Sequence, residues 1–213
     1  MRLTKSAFMA AGLLIGWSQI AFAQRPTSEP YKGDLAIFED AARAQKLQIE
    51  RVMDLLGIKR GARVADIGAG SGWFTVRSAR RVGNEGVVYA VEINPEYVRD
   101  IKRRAKREKL SNIRTVLGKP NDPMLPQASI DVAFLLKTYH EIEQPIAFLR
   151  RMRPSLRPGA RLAIIDKNGK GDDHGVNADV VIKEAAQAGF TLAAQHDFVK
   201  GDSVDYFLIF NVR

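Results

Sequence analysis

The sequence predicts an α/β domain built on a doubly wound, seven-stranded and mostly parallel sheet whose last strand runs antiparallel. Three observations predict it. Short apolar runs of strand length alternate with stretches of helical periodicity along the 213 residues, as βαβ units do. Several of those runs, 87–93 among them, are almost continuously apolar, as strands buried on both faces must be. Finally, a short turn at Gly201-Asp202 joins the last two runs, too little chain for a parallel crossover.

The chain opens with a segment that does not belong to this domain. Arg2 and Lys5 precede an apolar stretch over 7–20, and Ala21-Phe22-Ala23 supplies a small-x-small site before Gln24. Residues 1–23 therefore read as a cleaved signal peptide, and the expected location is periplasmic or secreted. An uncleaved membrane anchor is the alternative, but the apolar run falls short of the roughly 20 residues a spanning helix needs. Residues 24–33, with Pro26 and Pro30, read as a linker, and the domain is expected over 34–213.

The remaining elements follow in order. Phe38, Ala41, Ala42, Ile49, Val52, Met53 and Leu56 recur at helical spacing, so one helix is expected over 34–56, ended by Gly57 and able to pack over the ligand end of the core. Strand one is expected over 63–68 and a helix over 73–82. Strand two spans 87–93, and Asn94-Pro95 starts a helix reaching about residue 110. Strands three and four cover 113–117 and 130–136. A helix over 145–155 leads through the Pro158-Gly159 turn into strand five at 161–166. A helix over 176–188, ended by Gly189, precedes the final strands at 191–199 and 205–212.

Composition bounds the function. Hydrophobic residues at 46% and charged residues at 27% describe an ordinary globular domain, and the absence of cysteine excludes disulfides. The net charge is +9, or +7 once Arg2 and Lys5 leave with the leader. Its densest cluster is Arg99, Lys102, Arg103, Arg104, Lys106, Arg107 and Lys109. Weak association with an anionic membrane surface, an acidic substrate and a plain solvated helix face are its three readings. Nucleic acid is not expected, because no aromatic residues interleave with the basic run.

In open α/β sheets the ligand lies beyond the carboxyl ends of the strands, so the strand ends carry the chemistry. After strand one stands Asp66-Ile67-Gly68-Ala69-Gly70-Ser71-Gly72. A dinucleotide fingerprint G-x-G-x-x-G counted from Gly68 would put its third glycine at Trp73, so the pyrophosphate reading fails. Glu92 ends strand two, 20 residues beyond Gly72, where a carboxylate can accept from both hydroxyls of a ribose. Strand three runs into Gly118-Lys119-Pro120-Asn121-Asp122, and strand four into Lys137-Thr138-Tyr139-His140-Glu141.

These motifs, with the Leu156-Arg157-Pro158-Gly159-Ala160-Arg161-Leu162 turn, resemble those of class I S-adenosylmethionine (SAM) methyltransferases, from about residue 35 to the C-terminus. The resemblance implies SAM as cofactor. It places Asp66, Gly68 and Gly70 at the methionine portion, Glu92 at the ribose, and Asn121 with Asp122 at the adenine, with Ala69, Gly72 and Ile93 also in the cofactor-binding set. Lys137 joins the cofactor set as a departure. Related small methyltransferases often carry an acid or amide two places before the Tyr, and a lysine there would repel a sulfonium unless it points away or pairs with a carboxylate such as Asp66.

Methyl transfer needs positioning, and a general base only where the nucleophile holds a proton. His140 is the candidate base, with Tyr139 and Glu141 orienting substrate or His140. The other reading is that His140 and Glu141 satisfy the start of the next helix. Asp166, Asn168, Asp172, Asp173 and His174 match no ligand spacing, so no metal is expected. The expected function is methyl transfer to a small-molecule or lipid-like acceptor. An exported adenosyl-ligand-binding protein that kept the fold and lost or altered the chemistry is the alternative.

Overall fold

The computed structural model describes residues 25–212; the expected leader lies outside them. Seven strands form one sheet in the order β3-β2-β1-β4-β5-β7-β6: β1 Arg63–Ile67, β2 Val87–Glu92, β3 Ile113–Leu117, β4 Ile130–Leu136, β5 Leu156–Asp166, β6 Phe190–His196 and β7 Tyr206–Val212. All pairings are parallel except those of β7, which runs antiparallel to both β5 and β6. The last strand thus inserts between its two neighbours instead of extending the edge. The order reverses between β1 and β4, which opens a crevice at their carboxyl ends.

Helices cover both faces: α1 Arg43–Lys46, α2 Ile49–Leu56, α3 Trp73–Val82, α4 Pro95–Arg107, α5 Pro145–Met152 and α6 Ala178–Gln187. Alternation along each strand divides the core in two. Ala65, Ile67, Leu135, Leu162 and Phe210 face Phe148, Leu149 and Met152 of α5 and Val181 and Ala185 of α6. Val64, Phe134, Ala163, Ile165 and Phe207 face α2 and α3, where Phe74 stacks on Phe134 at 3.8 Å. Asn94 caps α4 by accepting from Glu96 N–H at 2.9 Å, with Pro95 in the first turn as its fixed φ favours.

The single helix expected over 34–56 is broken into a 3-10 turn at Leu35–Phe38, α1 and α2. Asp34 and Asp40 are the cause. Each carboxylate accepts from the backbone N–H two residues on, Ala36 and Ala42, a local bond that competes with the helix ladder. Gln48, left-handed at φ 48°, makes the second break. Strand β5 starts earlier than expected, because the chain through Pro158-Gly159 forms a register shift against β4 without leaving the sheet.

Residues 25–33, read as a linker, lie along the domain. Arg25 donates to Glu184 and to the Tyr139 carbonyl, both at 3.0 Å. Ser28 N–H donates to the His140 carbonyl at 3.2 Å, and its hydroxyl to the Gly171 carbonyl at 2.8 Å. The basic cluster on α4 is partly compensated within the fold. Arg99 pairs with Glu96, Arg103 with Asp100, and Arg104 with Glu39 and Glu108. Among the described residues no helix is long and apolar enough to cross a membrane.

Candidate active site

A cavity of about 520 Å³ occupies the crevice beyond β1, β2 and β4. That is within the roughly 300–1,000 Å³ of small-molecule sites. Its roof is the N-terminal strap, which contributes Tyr31, Leu35, Phe38 and Arg43. Charged and hydroxyl contacts fix the strap at several points. Tyr31 N–H donates to Glu141 at 3.3 Å, Tyr97 hydroxyl to the Gly33 carbonyl at 3.0 Å, and Arg104 to Glu39 at 2.6 Å.

The floor is the glycine turn. Gly68 is left-handed at φ 68°, and a Cβ there would stand 2.4 Å from the Thr138 methyl, so the turn can be built only from a residue without a side chain. Gly68 and Ala69 N–H both donate to the Val91 carbonyl, which ties the turn to β2. Gly70 N–H donates to Glu92 Oε1 at 2.8 Å, and Ile93 N–H to Oε2 at 3.0 Å. Glu92 therefore has its orientation fixed from the backbone while still lining the cavity.

Burial raises three of the carboxyls that line the cavity. Asp66 is fully buried; loss of hydration pushes its carboxyl up to about 7, and Glu92 pushes the same way. The Thr75 hydroxyl, donating to Asp66 at 2.5 Å, and Arg43 oppose that rise. Burial also raises Glu92, against three backbone N–H groups, and lifts Glu141 to about 7, against His140 and the Tyr31 N–H. A ligand carrying positive charge would favour the ionised form of all three acids.

The loop after β4 divides its roles in a way the sequence does not show. Glu141 lines the cavity. His140 lies behind it, buried, with Nδ1 at 2.9 and 3.0 Å from the two oxygens of Asp166. That contact places the ring proton on Nδ1 and leaves Nε2 as the basic nitrogen, 4.0 Å from Glu141 Oε1. Tyr139 is wholly buried, its hydroxyl donating to Glu184 at 2.9 Å, and does not reach the cavity. Of the expected catalytic trio only Glu141 lines the cavity. The packing decides this: a 3-10 turn over Tyr139–Glu141 sends successive side chains to different sides.

Asp66, Gly68, Ala69, Gly70, Glu92, Ile93 and Lys137 all line the cavity. Gly72, Asn121 and Asp122 do not. Gly72 turns toward α4, where a Cβ would meet Ile101 at 3.4 Å. Asp122 closes its own turn by accepting from Met124 N–H at 2.8 Å, and the Asn121 carbonyl accepts from Arg151. Their neighbours Lys119, Pro120 and Pro123 reach the wall instead. Lys137 pairs with Asp202 at 3.5 Å, not with Asp66. The sequence reading placed Phe38 on a helix over the ligand end but gave no site role to Tyr31, Leu35, Arg43 or Thr138. The aromatic pair Tyr31 and Phe38, in contact at 5.3 Å, was the signal available for the strap.

These residues suit SAM: an acid fixed at the end of β2 for a ribose, and charged groups of both signs near the glycine turn for an amino acid. Comparison with known proteins agrees. A family model described as a methyltransferase domain matches residues 58–205. The chain is 30% identical over 116 residues to a protein-L-isoaspartate O-methyltransferase of Methanothrix thermoacetophila, covering 54% of this chain and 52% of that one. It is 29% identical over 116 residues to a ubiquinone/menaquinone biosynthesis C-methyltransferase of Idiomarina loihiensis, covering 54% and 46%. The chain thus spans about half the length of both relatives. A SAM-dependent methyltransferase from Aquifex aeolicus has the same fold, with a TM-score of 0.77 at 24% identity, over 85% of this chain and 100% of that one.

Proposed function

Because the chain belongs to the methyltransferase-domain family, with SAM as methyl donor, we propose that it methylates a small-molecule or lipid-like acceptor in the cavity under the strap. The observation that carries this reading is the cavity itself. It is roofed by a short strap, and apolar side chains such as Phe38, Ile67, Ile142 and Phe148 supply much of its wall. A folded protein or tRNA would need an open approach, and the strap, tied at Ser28, Tyr31 and Arg104, stands across it. Of the two relatives, one is named for protein L-isoaspartate and the other for ubiquinone/menaquinone biosynthesis, so their names do not choose the acceptor.

Bound SAM supplies the methyl group and leaves as the neutral thioether. The chain's own residues hold the reactants and take the proton. Asp66 and the glycine turn hold the amino-acid end, and Glu92 the ribose. Glu141 is the group placed to accept a proton from an acceptor hydroxyl or amine, its carboxyl being poised near neutrality. His140, held by Asp166, stands behind Glu141 as a positioning residue and as the next base inward. The 1–23 leader supports a site of action beyond the cytoplasmic membrane, which a reporter fused after Gln24 tests.

The acceptor class is tested by incubating the purified protein and methyl-labelled SAM with separated protein, tRNA and organic-soluble fractions of cells. Label in the organic-soluble fraction supports the reading. Label in protein or tRNA alone overturns the acceptor class and leaves the methyl transfer standing.

A further inference from the structure

Residues 95–109 carry seven Lys and Arg against three acids, a net +4 out of the chain's +9. Helical spacing decides where they stand. Ile101 and Ala105 are the buried face of α4, so Arg99, Arg103, Lys106 and Arg107 lie on its outer side with Lys102 beside them. The fold neutralises only part of this charge. Arg99 pairs with Glu96 and Arg103 with Asp100, each within one turn, and Arg104 reaches Glu39 and Glu108. Among the described residues no carboxylate pairs with Lys102, Lys106, Arg107 or Lys109.

The strap meets this helix. Its 3-10 turn at Leu35–Phe38 forms a groove against α4, walled by Ala36 and Glu39 on one side and Arg103 and Arg107 on the other. Ile37, between those two strap residues, is 61% exposed, more than any other large apolar side chain among the described residues. The acids around it are occupied: Glu39 pairs with Arg104, Asp40 with Lys46, and Asp34 accepts from Ala36 N–H. Leu35 and Phe38, from the same turn, line the cavity beneath. The turn thus has an apolar inner side over the cavity and one apolar tip outside, next to the cationic helix.

That combination identifies the partner. A phosphate-rich surface attracts a cationic helix face, but an isoleucine tip beside it gains only where there is hydrocarbon to enter. A nucleic acid offers the phosphates without the hydrocarbon, and proteins that bind its single strands present aromatics for stacking. The one aromatic residue of α4, Tyr97, instead donates its hydroxyl to the Gly33 carbonyl.

We propose that the outer side of α4 and the strap turn form a docking surface for an anionic bilayer. Lys102, Lys106 and Arg107 meet the lipid phosphates, and Ile37 seats among the acyl chains. Docking sets the roof of the cavity against lipid. Resting on the reading that the acceptor is lipid-like, this is the side from which it enters, beneath Leu35 and Phe38.

Co-sedimentation of the full chain with vesicles tests this, using phosphatidylcholine alone and phosphatidylcholine with roughly one-third phosphatidylglycerol. The neutral vesicles measure what apolar segments such as 7–20 contribute. Binding to the anionic vesicles is expected to be at least about tenfold tighter, with the difference lost at high salt. The triple variant Lys102→Gln, Lys106→Gln, Arg107→Gln should lose about tenfold or more of that affinity. All three side chains are exposed and glutamine suits a helix, so the fold is retained. A control triple, Lys59→Gln, Lys170→Gln, Lys183→Gln, removes the same charge elsewhere and should lose less than about threefold. Ile37→Ser should weaken anionic-vesicle binding about threefold or more, with SAM affinity unchanged. Equal binding to both vesicles, an α4 variant that loses no more than the control, or Ile37→Ser binding like the wild type overturns the proposal. So does a chain that binds duplex DNA or RNA at physiological salt and ignores the vesicles. Vesicles that include the organic-soluble lipids of cells, incubated with methyl-labelled SAM, separate the two readings. Docking with no label in the lipid overturns the entry route and the lipid-like acceptor, and leaves the docking surface standing.

Discussion

A Cβ built on Gly68 stands 2.4 Å from the Thr138 methyl, so the glycine turn after β1 and the end of β4 meet with no room for one more carbon. That contact sets the width of the crevice at the point where the strand order reverses. It also makes the two segments one unit, since moving either shifts the residues on the other.

Gly68→Ala should therefore be costly twice, by the left-handed backbone and by the clash. The expected loss is roughly 2–4 kcal/mol of stability, with SAM binding weakened in parallel. Adding Thr138→Ala should recover part of the steric loss but none of the backbone strain. Chemical denaturation of the two single variants and the double variant gives the coupling. Strictly additive effects contradict the steric account.

Asp166 accepts from His140 Nδ1, from His140 N–H and from Lys167 N–H, and is wholly buried. Asp166→Ala leaves all three donors without this partner, two of them on a buried histidine. The expected cost is about 3 kcal/mol in urea denaturation. A variant as stable as the parent contradicts the role assigned to this pair.

Tyr139→Phe tests the division of labour after β4. The hydroxyl donates to Glu184, which also receives Arg25 from the strap. Removing it should lower stability by about 1 kcal/mol and leave SAM affinity unchanged. A large loss of turnover at unchanged stability would restore Tyr139 to the catalytic set.

Much of the fold was legible in the sequence. The apolar runs and their glycine and proline punctuation marked all seven strands, most plainly the central ones, because strands buried on both faces have little compositional freedom, whereas the edge strands β3 and β6 are largely uncovered. The helix break between Phe38 and Arg43 was not legible. Asp34 and Asp40 fit a helix surface as well as a turn, and only their bonds to Ala36 and Ala42 decide. In the site, strand-end residues such as Asp66, Glu92 and Lys137 were legible because the fold delivers strand ends to one edge. The positions of Tyr139, His140 and Gly72 depend on which way a tight turn points each side chain, which the residue types do not encode. The strap was hidden for another reason. Its anchors, Arg25 to Glu184 and Ser28 to Gly171, are long-range contacts with no local pattern.

Asp66 and Glu141 both contribute to the pH dependence of binding, and Asp66 shows the sign. Its carboxyl is raised to about 7 in the folded protein, well above its ordinary range, so protons are held by the folded state where the unfolded chain has lost them. Stability of the ligand-free protein should therefore fall as pH rises from about 4 toward 7. SAM affinity should run the other way, rising through pH 7 as Asp66 becomes an anion. Asp66→Asn should weaken both dependences, with Glu141, also raised to about 7, supplying what remains. A wild-type affinity that is flat or falling between pH 6 and 8 contradicts the assignment of Asp66 to the cationic end of the ligand.

Equilibrium dialysis with methyl-tritiated SAM tests most directly whether this cavity is the donor site. Wild-type protein should bind about one equivalent, displaced by S-adenosylhomocysteine. Glu92→Ala, which removes the acid at the end of β2, should bind at least tenfold more weakly while remaining folded. Absence of saturable binding by the wild type, or binding that Glu92→Ala leaves intact, would contradict it.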